Sequence, residues 1–371
     1  MSHASNDKRH KQPYPRLHMS DRKSKNVTLK DIADRLGFSA MTVSRALSGK
    51  ANLVSPETAK LCREAARDMG YQPNLMARSL RGEQLSTIVM FAEHISSHHY
   101  LAELVDYVSR SIERRKYGVI SCQSITSFHQ ALRNFRLAGA VVIAPPEEFY
   151  TDPFGERMFG VHYQAPTVLI HSAVEQNVFN EVSPDISAFS FHAACHLLEL
   201  GHRHLGYLGG PRAEDEPKWF ALRQSGIEQA LKDYGLPGVR LRQQACSDAT
   251  MGPAAIQQLL TRWPDTTGVM CINDEIAISA ISGAQEMRLE IPRDVSIIGS
   301  NDIKLAGFFR PALTTLKIDI RAMAETALDL LFDEISERRE VSGREPIKIK
   351  LPANLIVRNS TAPPAPQRVT A

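Results

Sequence analysis

The sequence predicts an all-α head followed by a larger α/β body made of two doubly wound parallel-sheet subdomains. Three observations carry that expectation. Three short amphipathic helical patterns lie between Thr28 and Gly70, each opened by a capping hydroxyl. From Thr87 onward, apolar runs of strand length alternate with helical patterns, as βαβ units do. The alternation occupies too much chain for one open sheet, so two similar subdomains with a cleft between them are expected.

Residues 1–26 are polar, carry His10, Lys11, Pro13 and Pro15, and have no apolar period, so they read as a disordered basic extension. Residues 27–71 form the head. Its first helix starts at Thr28, three residues before Asp31, and sets Leu29, Ile32, Ala33 and Leu36 on one face before Gly37 ends it. Ser39 caps the second, with Val43, Ala46 and Leu47 on one side and Met41, Ser44, Arg45 and Ser48 opposite. Ser55 and Pro56 open the third, which carries Leu61, Ala65 and Met69 inward and stops at Gly70. Residues 72–83 read as a linker or hinge, and residues 84–360 as the body. Its strands are predicted at Thr87–Ala92, Gly118–Cys122, Ala140–Ala144, Thr167–Ile170, Leu205–Leu208, Val269–Ile272, Ser296–Gly299 and Thr314–Ile318. The Pro- and Ala-rich residues 361–371 are expected to be a flexible tail.

Composition narrows the function. With 371 residues, 43% apolar and 23% charged, the chain is ordinary globular material. Its apolar runs fall short of a membrane helix and its N-terminus does not look like a signal peptide, so no membrane partner and a cytoplasmic setting are expected. The five cysteines are scattered without metal-ligand spacing, so no metal and no cofactor are expected. The net charge of +3 is unevenly spread. Residues 1–82 hold 16 Lys/Arg against 7 Asp/Glu, net +9, and the rest holds 28 against 34, net −6. A basic head on an acidic body points to a polyanion met by the head alone.

Two short helices joined by a Gly-containing turn form a helix-turn-helix, whose second helix presents its N-terminal residues to base edges in the major groove. Ala40, Met41 and Arg45 are then the readers: Arg45 suits guanine O6 and N7, while Ala40 and Met41 suit a thymine methyl. Ser39, Thr42, Ser44 and Ser48, with Thr28 at the start of the first helix, are candidates for backbone contacts. A three-helix knot with a solvated polar face has the same periodicity.

The stretches "VTLKDIADRLGFSAMTVSRALSG" and "VSPETAKLCREAARDMGYQPNLMARSLRG" resemble the head and hinge of the LacI/GalR (lactose and galactose repressor) family. The resemblance continues through "LELGHRHLGYLGGP", "CINDEIA", "IPRDVSIIGSND" and "PALTTLKID" to about Asn359. It implies a regulator of transcription, acting as a repressor on double-stranded operator DNA under the control of a small effector. It further implies that residues 74–81 form a hinge helix only on DNA, with Asn74, Ala77 and Leu80 as contacts and Leu80 the wedge between base steps. Eight loosely packed residues are too few for a stable isolated helix. Two heads on a two-fold axis read a pseudo-palindrome, so a homodimer is expected. No heptad marks the tail for further assembly.

The body resembles periplasmic-binding-protein folds, whose ligands sit in the cleft at the C-terminal ends of the strands. Matching residues nominate Arg223, Asn273, Tyr100, His171 and Asn301 for the effector, with Asp274 read as a helix cap. His98, His99 and Tyr100 read more readily as a solvent-facing loop. The family's acid is missing at His171, as is the first acid of its usual stretch at Gly299-Ser300-Asn301-Asp302. An aromatic platform near Ser247 is missing too, and Ile318 stands for a polar residue of some relatives. Purine stacking is thereby less attractive. A carbohydrate-derived effector remains, either neutral or, with Arg223 kept and carboxylates lost, a sugar acid or sugar phosphate. An enzyme finds no support, because no G-x-S-x-G, Walker loop or G-x-G-x-x-G follows a strand and the histidines of "GHRH" match structural residues. A plain ligand carrier differs from a regulator in that it would keep its whole activity without residues 1–82.

Overall fold

Thr28 opens the first helix with a reciprocal cap: its hydroxyl accepts from the Asp31 amide at 3.3 Å while the Asp31 carboxylate accepts from the Thr28 amide at 2.7 Å. The computed structural model describes residues 27–47, 53–72, 86–145 apart from 94, 96 and 97, 159, 165–171, 178–210, 218–236, 241–337 and 345–365. The chain divides into two compact units, Met1–Leu75 and Met76–Ala371.

In the first unit, α1 (Leu29–Leu36) ends at Gly37, whose φ of 68° is the left-handed turn that starts the connection to α2 (Ala40–Leu47). Ser39 caps α2 by accepting from the Thr42 amide at 3.1 Å. Ser55 and Pro56 open α3 (Pro56–Asp68) as their types predict. Ile32, Ala33, Val43, Ala46, Ala59, Cys62, Ala65 and Ala66 form the core, rimmed by Leu29, Leu36, Phe38 and Met69. Leu61 corrects the sequence reading. It is 48% exposed, because α3 turns the small stripe of Ala59, Cys62 and Ala66 inward, and Leu61 lies off that stripe.

The second unit begins with β1 (Thr87–Ala92), α4 (His99–Arg114), β2 (Gly118–Cys122), α5 (Ile125–Asn134), β3 (Gly139–Ile143), β4 (Thr167–Ile170) and β5 (Asn180–Pro184). It continues with α6 (Ile186–Glu199), β6 (Leu205–Leu208), α7 (Lys218–Asp233), β7 (Arg242–Gln244), α8 (Gly252–Arg262), β8 (Gly268–Cys271) and α9 (Asp274–Glu286). The last elements are β9 (Ser296–Ser300), α10 (Lys304–Phe308), β10 (Thr314–Lys317), α11 (Ile320–Glu337), β11 (Lys348–Leu351) and β12 (Asn354–Ile356). One sheet has the order β11-β5-β4-β3-β1-β2 and the other β12-β10-β9-β8-β6-β7, so the same doubly wound order occurs twice. Every pairing is parallel except that of β12 with β10.

Central strands β1, β3, β4, β8 and β9 are buried throughout, as parallel strands covered on both faces must be. The chain crosses between the subdomains after β5, after β10 and between β11 and β12, and α11 returns to pack on α4, β4 and β5. Gly226 lets α7 lie directly on α6, since a Cβ there would run into the Ser187 carbonyl.

Three further expectations need correcting. Strands β5, β7, β11 and β12 were absent from the sequence reading: β5 is polar, and the other three are short segments at sheet edges. Residues 361–365 are packed rather than loose at their start: Thr361 Oγ1 lies 3.0 Å from His196 Nε2, and the Ala362 amide donates to Ser296 Oγ at 3.0 Å. Residues 366–371 lie outside the described residues. His98–Tyr100 are the start of α4 instead of a loop.

Candidate functional site

In the first unit, α2 turns one face to the core and leaves the opposite one exposed. On α2 the buried positions Val43 and Ala46 alternate with exposed Ala40, Met41 and Arg45, and Met41 is 63% exposed. Thr42 and Ser44 are half-buried beside them. The hydroxyls of Ser39 and Thr42 lie 2.9 Å apart within the α2 cap, and that of Thr28 donates to Asp31. Ser48, Asn74, Ala77 and Leu80 lie outside the described residues.

In the second unit a cavity of about 260 Å³ opens between the subdomains at the C-terminal ends of their strands. It brings together all five residues nominated from the sequence: Tyr100, His171, Arg223, Asn273 and Asn301. Ala144 follows β3, His171 follows β4, and Asn301 follows β9; all three hold left-handed backbone, with φ of 46°, 55° and 102°. Non-glycine residues rarely adopt such values, and strain of this kind concentrates where a fold must aim side chains.

Tyr100 is buried on α4 with its hydroxyl 3.1 Å from His171 Nδ1 and the two rings 5.2 Å apart. Burial raises the phenol's pKa, so it keeps its proton. Burial, then the charges of Arg223 and His98, push His171 down to about 4. The imidazole is therefore neutral, with one ring nitrogen a donor and the other an acceptor, and the Tyr100 hydroxyl also reaches Met323 Sδ at 3.9 Å.

Asn273 corrects the cap assignment: its Oδ1, and not Asp274, accepts from the Ile276 amide at 2.9 Å and caps α9. The Asn273 NH₂ makes no hydrogen bond among the described residues. Asp274 is instead fully buried, accepting from the Ile303 amide at 2.8 Å and from Thr315 Oγ1 at 2.5 Å. Burial raises it to about 7, and it ties α9 to the loop after β9.

Arg223 projects from α7 with its guanidinium 5.7 Å from the Phe189 ring centroid. Among the described residues it has no carboxylate partner; its Nε is without a hydrogen-bond partner, and its guanidinium lies close to the Tyr207 hydroxyl. Trp219, one helical turn earlier, lines the same cavity and was missed in the sequence. Its signal was there, since residues i and i+4 of one helix share a face. Ser247 and Ile318 do not line the cavity, and Ile318 is core.

Across the cleft, the His99 amide and Nδ1 both approach Glu275 Oε1, at 3.0 and 3.2 Å. His202 is structural, with contacts at 2.9–3.1 Å to Thr267, Ser296 and the Ala362 carbonyl. No helix among the described residues is long and apolar enough to cross a membrane.

Comparison with known proteins bears on both units. Residues 28–74 match the bacterial regulatory proteins of the lacI family, and residues 194–361 match a periplasmic binding protein-like domain. The HTH-type transcriptional repressor PurR of Yersinia pestis bv. Antiqua is 30% identical over 346 residues, covering 91% of this chain and 97% of that protein. Among solved structures, the lac repressor dimer bound to operator and the anti-inducer ONPF superposes with a TM-score of 0.75 at 22% identity, covering 91% of this chain and all of that one. The complex of the transcriptional regulator CelR with cellobiose gives 0.65 at 22% identity, covering 90% of this chain and all of that one. A helix-turn-helix head, two parallel-sheet subdomains of periplasmic-binding-protein type and this similarity along nearly the whole chain mean that the protein belongs to the LacI family of DNA-binding transcriptional repressors, which are not enzymes.

Proposed function

We propose that this repressor acts as a homodimer on a pseudo-palindromic operator, and that a small carbohydrate-derived anion, a sugar acid or sugar phosphate, sets its DNA affinity from the cleft. The observation that carries the effector's charge is Arg223, a guanidinium in the cavity wall without a carboxylate partner among the described residues. No Asp or Glu is among the described residues lining the cavity, and α4, α6 and α9 all begin at its edge, where helix ends favour negative charge. A carboxylate or phosphate suits a guanidinium that can pair with two oxygens at once. Trp219 and Ile186 supply apolar walls for a ring.

The DNA side of the reading rests on α2. Arg45 and Met41 stand exposed at the positions that a recognition helix turns to base edges. Asn74, Ala77 and Leu80 are assigned to a hinge that folds in the minor groove. Dimerisation is supported by Leu305 and Phe308 on α10, 52% and 78% exposed. Neighbouring apolar side chains this exposed mark an interaction surface. In the lac repressor structure the protein is a dimer on its operator.

Thermal-shift titration with neutral sugars, sugar acids and sugar phosphates tests the effector class on wild type and Arg223→Ala. An acid or phosphate should stabilise the wild type and fail to stabilise the variant. Stabilisation by neutral sugars alone, or equal shifts in both proteins, would overturn the anionic reading.

A further inference from the structure

Arg223 also borders a second, small void of about 10 Å³, roughly the room one water needs. Four polar groups border it. Tyr207, on β6 and 2% exposed, has a buried hydroxyl that lies close to the Arg223 guanidinium and whose own proton has no acceptor, and the buried Arg223 Nε has no partner either. The other two are serine hydroxyls whose protons are committed: Ser190 Oγ donates to the Ile186 carbonyl at 3.2 Å, and Ser300 Oγ to the Cys271 carbonyl at 3.3 Å. Each serine therefore turns an unused lone pair to its surroundings.

The tally balances for one molecule. Arg223 Nε–H and the Tyr207 hydroxyl are two donors in need of an acceptor, and Ser190 and Ser300 are two acceptors in need of a donor. Water accepts two hydrogen bonds and donates two. A buried hydroxyl and a buried guanidinium nitrogen left without partners are costly, so a site of this polarity and size is kept filled.

We infer that one ordered water sits in this void, bonded to Arg223 Nε, Tyr207, Ser190 and Ser300, and that it fixes the guanidinium the effector meets. Tyr207 is then a positioning residue acting through Arg223. With Nε held from behind and Phe189 beside the guanidinium, the terminal nitrogens are left to meet two oxygens of one ligand group. This inference rests on the cleft reading for its functional meaning, but the water itself is observable without any effector.

The test is an atomic-resolution crystal structure of the unliganded full chain, together with ¹H–¹⁵N spectra of the Arg223 Nε–H. One water should lie about 2.7–3.2 Å from all four atoms, and the Nε–H should exchange slowly with solvent. Tyr207→Phe keeps the ring packed on Phe220 and deletes only the hydroxyl. It should leave a folded protein in which Nε–H exchange is at least about tenfold faster, because the hydrogen bond that protects it has weakened. Ser300→Ala should act in the same direction. An empty void would overturn the inference. So would Nε–H exchange unchanged in both variants. Failure of the effector reading is separate, since it appears as unaltered anion binding in Arg223→Ala while the wild-type crystal still shows the water.

Discussion

His171→Gln replaces an imidazole that the fold keeps uncharged with an amide of similar reach that does not titrate. Burial at the end of β4, beside Arg223 and His98, drives its pKa from the ordinary 6.5 to about 4. The unfolded chain titrates near the ordinary value. As pH falls below it, the unfolded state takes up a proton that the folded state refuses. The stability linked to neutral His171 is therefore complete above about pH 7 and is lost as pH falls toward 4. The difference in pKa corresponds to about 3 kcal/mol, of which about 2.5 is gone by pH 4.5. That is an upper figure, because the ring keeps an edge toward cleft water. Urea unfolding followed by circular dichroism at about pH 7.5 and 4.5 measures it. The wild type should lose about 2 kcal/mol more than His171→Gln. His196 and His202, also held below their usual range by burial, act equally in both proteins and cancel. Equal losses in the two proteins would refute the argument that the fold holds His171 neutral.

Arg45→Ala should cost about 1–3 kcal/mol on the operator and relax preference at one base position per half-site; equal losses on operator and scrambled DNA would remove its base-reading role. Phe308→Glu on exposed α10 should shift sedimentation toward monomer without changing the far-ultraviolet spectrum, and an unchanged dimer would place the interface elsewhere. Gly226→Ala should destabilise the second unit by about 1–3 kcal/mol, because the new methyl meets the Ser187 carbonyl; an unaltered melting temperature would mean that α6 and α7 pack less closely than described.

How much was legible in the sequence depended on whether side-chain chemistry or chain topology carried the information. The eight strands read from apolar runs were found within a residue or so of their observed ends, because central parallel strands must be apolar on both faces. Strand β5 was invisible. Of Asn180, Glu181, Val182, Ser183 and Pro184 only Val182 is a strongly apolar strand former, and the polar side chains are buried through partners distant in sequence, such as Asn180 Nδ2 on Glu334 at 2.6 Å. Strand β11, by contrast, alternates Lys348, Ile349, Lys350 and Leu351 and carried a readable period of two.

In the cleft, the nominated residues owed their selection to the family resemblance, and the geometry that unites them comes from two sheets joined by three crossings. Local chemistry misassigned the cap of α9, since Asn273 and Asp274 are both good caps. Only the fold shows that the second is needed under Thr315 and Ile303. The packed start of the tail was hidden for the same reason: Thr361 and Ala362 find His196, His202 and Ser296 only in three dimensions.

The central claim is that the cleft and the reading helix are coupled through the hinge. Substitutions at either end should separate the two roles: Leu80→Ala should weaken operator binding while sparing effector affinity in DNA-free protein, and Arg223→Ala should do the converse. The most direct measurement is calorimetric titration of the stabilising sugar acid or phosphate into the full-length protein, alone and saturated with operator. Coupling of about 1–3 kcal/mol predicts effector affinities that differ at least about fivefold between the two conditions, with the same factor recovered for operator affinity with and without effector. Identical effector affinity in the presence and absence of operator would contradict the account.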